Sequence, residues 1–214
     1  MFVLTAVEEE IRVQPADLNK RPIDAVTEMI EERFFDKVIP NVGLVVSLYD
    51  VQSIEGGFIY PNDGAAFFNV KFRIVVFRPF AGEVIVGKLK SCTKEGLHIS
   101  LTFFEDIFVP EHALQDPSFY NESEKAWVWK WDGNDMFMDV GEEVRLKVHS
   151  VRFNPPPNPH DLANAVGDDK LLGTAAKPYV PMQVIGGVNE DGLGMLAWWG
   201  GGGGEEPGQE DMVE

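Results

Sequence analysis

Cysteine is almost absent: Cys92 is the one thiol in the 214-residue sequence. A disulfide within the chain is therefore impossible, and a zinc centre built from several thiolates is excluded. The reading that follows is a reducing compartment, the cytosol or the nucleus. Basic residues are also scarce. Lys and Arg total 18 against 35 Asp and Glu, a formal net charge of −17. Such a chain does not coat duplex DNA by overall charge, although a local cationic stripe is still open to it. Five of the acids lie in residues 205–214 with no base among them, so the other 204 residues still sum to −12. Long apolar runs are missing too. None approaches the ~18 residues of a membrane helix. Residues 1–7 are apolar but run straight into Glu8, Glu9 and Glu10, which is not the basic start and longer apolar stretch of a secretory signal. No Lys/Arg cluster reads as a nuclear import signal, so a nuclear location would depend on a partner.

Catalytic signatures are absent as well. The sequence contains no GxxxxGK[ST] loop, no GxSxG elbow and no HExxH, the spacings that phosphate cradling, acyl transfer and zinc hydrolysis need. The four histidines, His98, His112, His149 and His160, are not at metal-ligand spacing. His160-Asp161 reads as loop polarity rather than a base with its orienter. Carboxylates abound because the composition is acidic, and no two are singled out as an acid–base pair. Cys92 falls at a strand-to-turn boundary and reads as an unreactive thiol. The expectation is a non-enzyme with no cofactor and no metal.

What is present has two textures. Residues 1–13 alternate apolar and charged groups as a strand does, and Pro15 breaks the pattern. Residues 22–36 read as a helix: Pro22 suits the first helical position, Asp17 or Asn19 is a candidate cap, and Ile23, Val26, Ile30 and Phe34 make one apolar stripe. Two β-branched strands follow, 41–51 ended by Gly56-Gly57 and 70–77, with a turn-rich segment of Pro61, Asn62, Asp63 and Gly64 between them. The expectation for 1–79 is an α+β unit of one helix on one sheet.

From residue 80 onward the pattern is all-β. Strands at 82–93, 96–101 and 105–110, spaced by about ten residues, indicate a small barrel. A short helical connector is expected at 111–114. Further strands are expected at 127–131 and 141–153, joined through Asp132-Gly133, and a last strand or hairpin over 184–199. Residues 154–181 contain six prolines and read as an insertion or flexible loop. Gly200–Gly204 and the acidic segment after them read as disordered. Five main strands with a variable loop before the last fit an OB-type barrel spanning 80–199.

Period two places chemistry on that barrel. Ile85 and Leu89 point one way, Lys88 and Lys90 the other. Leu97, Ile99 and Leu101 face the core, leaving His98 and Ser100 outside. Val144, Leu146 and Val148 face in, with Arg145, Lys147 and His149 out. An outward face of cationic and neutral-polar groups in an acidic protein suits single-stranded RNA, where charge meets phosphate and rings meet bases. Phe103, Phe104 and Phe108 are available as stacking rings or as core. The candidate RNA-binding set is Lys88, Lys90, His98, Phe108, Arg145 and Lys147. Trp127, Trp129 and Trp131 share a face and read as core or interface before RNA platform. Trp198 and Trp199 cannot both point inward along a strand, so one is a candidate anchor for a protein partner.

The string GEVIVGKLKSCTKEGLHISLTFFEDIFVP resembles the opening of the barrel domain in the stalk-subunit family of archaeal and eukaryotic RNA polymerases. NVGLVVSLYDV, PNDGA and VKFRIVVFRPF resemble the strands and tip loop of that family's N-terminal domain. WVWKW, MDVGEEVRLKV and LGMLAWW are similar to its RNA polymerase III branch. The resemblance covers residues 1–153 and 182–199. It implies a truncated ribonucleoprotein-like domain over 1–79 that docks on the polymerase core through a tip at Pro61, Asn62, Asp63 and Gly64, with Asn62 where Gly is expected. It further implies an OB-fold over 80–199 that contacts nascent single-stranded RNA, a second stalk subunit as heterodimer partner, support of transcription initiation, and location in the nucleus. The competing readings are a free-standing OB-type RNA-binding factor and the equivalent subunit of another polymerase.

Overall fold

The computed structural model describes residues 1–156 and 179–199. His160, Asp161, most of the Pro-rich 154–181 stretch and the whole of 200–214 lie outside the described residues. These divide into two compact units: Met1–Glu83 with the described part of 151–184, and Val84–Ser150 with the described part of 185–214.

The first unit contains β1 (Phe2–Val13), α1 (Pro22–Phe34), β2 (Val38–Ile39), β3 (Gly43–Ile59) and β4 (Ala66–Phe77). The strands form one sheet in the order β1-β4-β3-β2. β1 and β4 pair antiparallel without a shift from Phe2↔Phe77 to Val13↔Ala66. α1 begins at Pro22 as expected, but its cap is Arg21, whose side chain makes no capping bond. Asp17 instead sits in a 3₁₀ turn, Pro15–Asp17. The Arg21 side chain instead pairs with Asp24 in the first turn. The helix buries Ala25, Val26 and Ile30, while Ile23, expected on the same stripe, is 40% exposed. Val26 and Ile30 pack with Ile11, Val13, Val45, Val70, Phe72, Ile74 and Val76, and burying each such side chain stabilises by roughly 1.5–3 kcal/mol.

β3 is longer than the sequence suggests. Gly56-Gly57 does not end it; the strand continues to Ile59. The pair with β4 slips between Gly56 and Phe58, a bulge in which Gly56 takes φ +101 and a Cβ would lie 3.1 Å from the Phe67 carbonyl. The glycines therefore bend a continuing strand rather than close it.

The second unit, together with the ends of two of its strands that run into 151–184, is all-β. β5 (Val84–Thr93), β6 (Gly96–Ser100), β7 (Ile107–Pro110), β11 (Glu143–Phe153) and β12 (Met182–Gly187) join in the order β12-β7-β6-β5-β11, and a further β12–β11 pairing closes the ring; β13 (Gly194–Met195) adds to β11. Ile85, Leu89, Leu97, Ile99, Ile107, Val109, Val144, Leu146 and Val148 fill the interior. Gly87 shares that inward side, and a Cβ there would stand 2.7 Å from Ile99 Cγ2 and 2.9 Å from the Ser100 carbonyl. The expected barrel of five strands is thus present.

Two elements differ from expectation. Trp131 does not lead into the 141–153 strand. Asp132 and Gly133 both have positive φ, the pattern of a two-residue hairpin, and they turn β9 (Ala126–Trp131) back into β10 (Asn134–Met138). With β8 (Ser118–Asn121), these form a separate three-stranded sheet. The short helical connector expected after β7 is present as one 3₁₀ turn, Glu111–Ala113. Finally, 194–199 is not a strand throughout: after β13 the chain enters a 3₁₀ turn, Leu196–Trp198. The alternation argument for Trp198 and Trp199 therefore does not apply. Among the described residues no helix is long and apolar enough to cross a membrane.

Asn154 is hydrogen-bonded to residues 179–181. The Asn154 amide donates to the Pro181 carbonyl at 3.0 Å, the Asn154 Nδ2 donates to the Val180 carbonyl, and the Tyr179 hydroxyl donates to the Asn154 carbonyl, both at 2.8 Å.

Candidate nucleic-acid interface

The six candidate RNA-binding residues fall on the outer wall of four adjacent strands. In β5 the burial alternates so that Ile85, Gly87 and Leu89 are inside and Lys88 and Lys90 outside. His98 on β6 lies between buried Leu97 and Ile99, and Phe108 on β7 between buried Ile107 and Val109. On β11, Arg145 and Lys147 alternate with buried Val144, Leu146 and Val148. Neighbouring strands are about 4.8 Å apart, so the wall from Phe108 to Arg145 spans roughly 14 Å.

The register fixes who meets whom. His98 is opposite Phe108, and their rings lie 5.0 Å apart at 46°. Lys88 is opposite Ser100 on one side and Glu143 on the other, while Arg145 is opposite Val86 and Lys147 opposite Val84. Val84 and Val86 are about half exposed. They supply an apolar strip between the cations that the charge-first reading of the sequence missed, though the alternation in 84–90 carries it.

The wall is less positive than the sequence implies. Lys90 pairs with Glu105. Lys147 Nζ sits 2.7 and 2.8 Å from the two oxygens of Glu190. Arg145 Nη1 donates to the Gly192 carbonyl at 3.2 Å. Among the described residues, Lys88 and Arg145 form no ion pair, so two of the four cations are matched by carboxylates. Asp106 lies beside this wall. Partial burial, and then the like charge of Glu105, push its carboxyl above the ordinary aspartate range, against weaker opposing pulls from Lys90 and His98.

The aromatic candidates separate. Phe104 is buried and belongs to the core, Phe103 is 45% exposed, and Phe108 is half-buried against His98. Trp127 is buried, with its Nε1 donating to the Thr93 carbonyl at 2.8 Å. Trp129 is buried, and Trp131, on the same face, is 59% exposed. Trp198 is half-buried against Trp129, ring centroids 5.1 Å apart. Trp199 is 47% exposed, with Nε1 donating to the Leu193 carbonyl. Of the two candidate partner anchors, Trp199 is therefore the more available one. Cys92 is half-buried, and desolvation raises its thiol above the ordinary range, which disfavours the thiolate. Among the described residues no group of three or more His, Cys, Asp or Glu is placed to hold a metal ion.

The tip lies in the first unit. Tyr60, Pro61, Asn62 and Asp63 make a turn closed by the Asp63 amide donating to the Tyr60 carbonyl at 3.2 Å. Pro61 at its second position and left-handed Asn62 (φ +72) at its third follow the type II pattern. Asparagine is among the few side chains that tolerate this conformation, which accounts for Asn62 where glycine is expected. Arg12 reaches the turn from β1: Nε and Nη2 donate to the two Asp63 oxygens at 3.3 and 2.5 Å.

A family model described as RNA polymerase III subunit Rpc25 matches residues 83–199, more than half of the chain. The chain belongs to that family. A second model, the SHS2 domain found in the N terminus of Rpb7p/Rpc25p/MJ0397, matches residues 8–64. The Rpc25-family match spans all the barrel residues described above and ends at Trp199. The DNA-directed RNA polymerase III subunit RPC8 of Bos taurus is 37% identical over 204 residues, covering 92% of this chain and 98% of the relative. That of Schizosaccharomyces pombe is also 37% identical, covering 92% and 99%. The RNA polymerase II subunit RPB7 of Saccharomyces cerevisiae is 28% identical over 151 residues, covering 69% of this chain. The polymerase III subunits thus match more of the Rpc25-family chain, at higher identity, than this polymerase II subunit does.

Proposed function

We infer that the chain is a non-catalytic stalk subunit of DNA-directed RNA polymerase III, acting in transcription and held in the nucleus by the complex it joins. The observation that carries this reading is the Rpc25-family match over 83–199 together with near full-length identity to polymerase III subunits. The finer reading has three parts. Residues 1–79 act as a truncated ribonucleoprotein-like docking domain whose tip, Pro61, Asn62, Asp63 and Gly64, seats on the polymerase core. Residues 80–199 act as an OB-type domain that contacts nascent single-stranded RNA through Lys88, Lys90, His98, Phe108, Arg145 and Lys147. A second stalk subunit forms a heterodimer with the chain and supports initiation, with Trp198 and Trp199 at the protein interface.

The chemistry suits weak RNA contact made strong by location. Half of the wall's cations are matched by carboxylates, so affinity for free RNA is low. A wall held close to a transcript acts at high effective concentration, and modest affinity then suffices. Purification of the tagged full chain is expected to recover the large polymerase III subunits; recovery of ribosomes or a nuclease in their place would overturn the assignment. Crosslinking from the wall to emerging RNA tests the finer reading. Crosslinks from Lys88 and Arg145 to protein alone would remove the RNA role.

A further inference from the structure

We propose that Arg12, on β1, is the positioning residue for the docking tip: it latches the 60–63 turn in one orientation before the polymerase is met. The proposal rests on the reading that residues 61–64 are the dock. Three contacts converge on this latch. The Arg12 fork binds both oxygens of Asp63. The same guanidinium lies 6.0 Å from the centroid of the Phe67 ring. Tyr60, at the other end of the turn, meets Phe67 edge-on at 5.0 Å. The two ends of the turn are thus tied, through Arg12 and Phe67, to the paired strands β1 and β4, where Arg12 is opposite Phe67.

The backbone makes this tie consequential. Asn62 and Gly64 both have positive φ, so the turn follows an unusual path with a single closing hydrogen bond from the Asp63 amide. Pro61, Asn62, Asp63 and Gly64 are all exposed, and no core packing holds them. Phe58, Ile59 and Tyr60 beside them are also exposed. Arg12 is the side chain that links Asp63 to the rigid part of the sheet. A bidentate fork fixes direction as well as distance, which a lysine at this position does not. The hydrogen bond from Arg12 also holds the Asp63 carboxyl below the ordinary range, so the pair stays charged through neutral and mildly acidic conditions. A turn held in one shape docks without first losing conformational freedom.

The test uses the full chain in four forms: Arg12→Ala, Arg12→Lys, the exchange Arg12→Glu with Asp63→Arg, and a tip replacement, Pro61→Gly with Asn62→Gly. Two readouts are taken, hydrogen exchange at the Asp63 amide in the free protein and co-purification of the largest polymerase III subunit. Arg12→Ala is expected to raise exchange at Asp63 by roughly two- to five-fold, the range of an exposed ion pair. It should lower recovery of the polymerase by a similar factor and leave the β1–β4 amides and the thermal midpoint unmoved. Arg12→Lys should fall between, and the charge exchange should restore slow exchange at the position-63 amide; polymerase recovery is compared only among the variants that leave Asp63 in place. Unchanged Asp63 exchange in Arg12→Ala overturns the latch. Raised exchange with full recovery, while the tip replacement lowers recovery, overturns the role of the latch in docking and leaves the dock standing. Full recovery with the tip replacement overturns the dock itself and the latch with it.

Discussion

The barrel wall makes a quantitative prediction about salt. Each phosphate neutralised on single-stranded nucleic acid contributes roughly −0.7 to the slope of log affinity against log salt. If all four cations were free, the slope would be about −2.8, and affinity would fall roughly 50-fold between 50 and 200 mM salt. Lys90 and Lys147, however, are paired with Glu105 and Glu190, and a cation that exchanges a carboxylate for a phosphate releases little. Lys88 and Arg145 alone give a slope of about −1.4 and a fall of roughly seven-fold over the same range. The perturbation is to remove the carboxylates and leave the cations: Glu105→Gln with Glu190→Gln. The slope of the full chain on a labelled single-stranded RNA, read by fluorescence anisotropy from 50 to 200 mM salt, is expected to steepen from about −1.4 towards −2.8. Replacing Lys88, Lys90, Arg145 and Lys147 all by Glu should flatten it towards zero with the fold intact by circular dichroism. A wild-type slope already near −2.8, or a double variant that titrates like wild type, would refute the claim that internal carboxylates hold half the wall in check.

Other expected outcomes test the scaffold. Ile30→Ala removes a fully buried side chain beneath the sheet and should cost the first unit about 2–5 kcal/mol in denaturant unfolding. Gly87→Val brings side-chain atoms against Ile99 and the Ser100 carbonyl; the barrel should lose about 1–3 kcal/mol, seen as a lower unfolding midpoint. Asp106→Asn should raise stability at neutral pH. A carboxyl whose folded pKa is raised penalises the folded state above that pKa, and the penalty disappears once pH falls below the unfolded value near 3.8. The difference from wild type, measured by thermal melts across pH, should therefore shrink between the raised value and 3.8; a constant difference would contradict the cause given. Cys92 should react slowly with a thiol reagent in the native state and readily after unfolding.

Period two carried most of the architecture. Ile85, Leu89, Leu97, Ile99, Val144 and Leu146 were legible as an interior because each alternates with a polar or charged neighbour, and α1 was legible from Pro22 and the Val26–Ile30 spacing. The small sheet was hidden for a physical reason. β8 is four residues long, and β10 opens on Asn134-Asp135, residues that belong to turns in isolation and become strand only by pairing with β9. Gly56-Gly57 read as a stop because a bulge and a chain break use the same residue for the same conformational freedom. The balance of charge on the wall was invisible because it depends on long-range partners. Glu105 is 15 residues from Lys90, and Glu190 is 43 residues from Lys147. The same holds for Arg12 and Asp63, 51 residues apart, a pairing that only the sheet register creates.

Because β12 bonds to both β7 and β11, the five strands of the barrel form a loop with no first or last member. A loop of that kind offers no vacant rung to which a foreign peptide backbone can add itself. Whatever binds the barrel wall must do so through the side chains that project from it. Changes in preference for a transcript or a protein neighbour can then accumulate as single outward substitutions, each leaving the hydrogen-bonded frame beneath untouched.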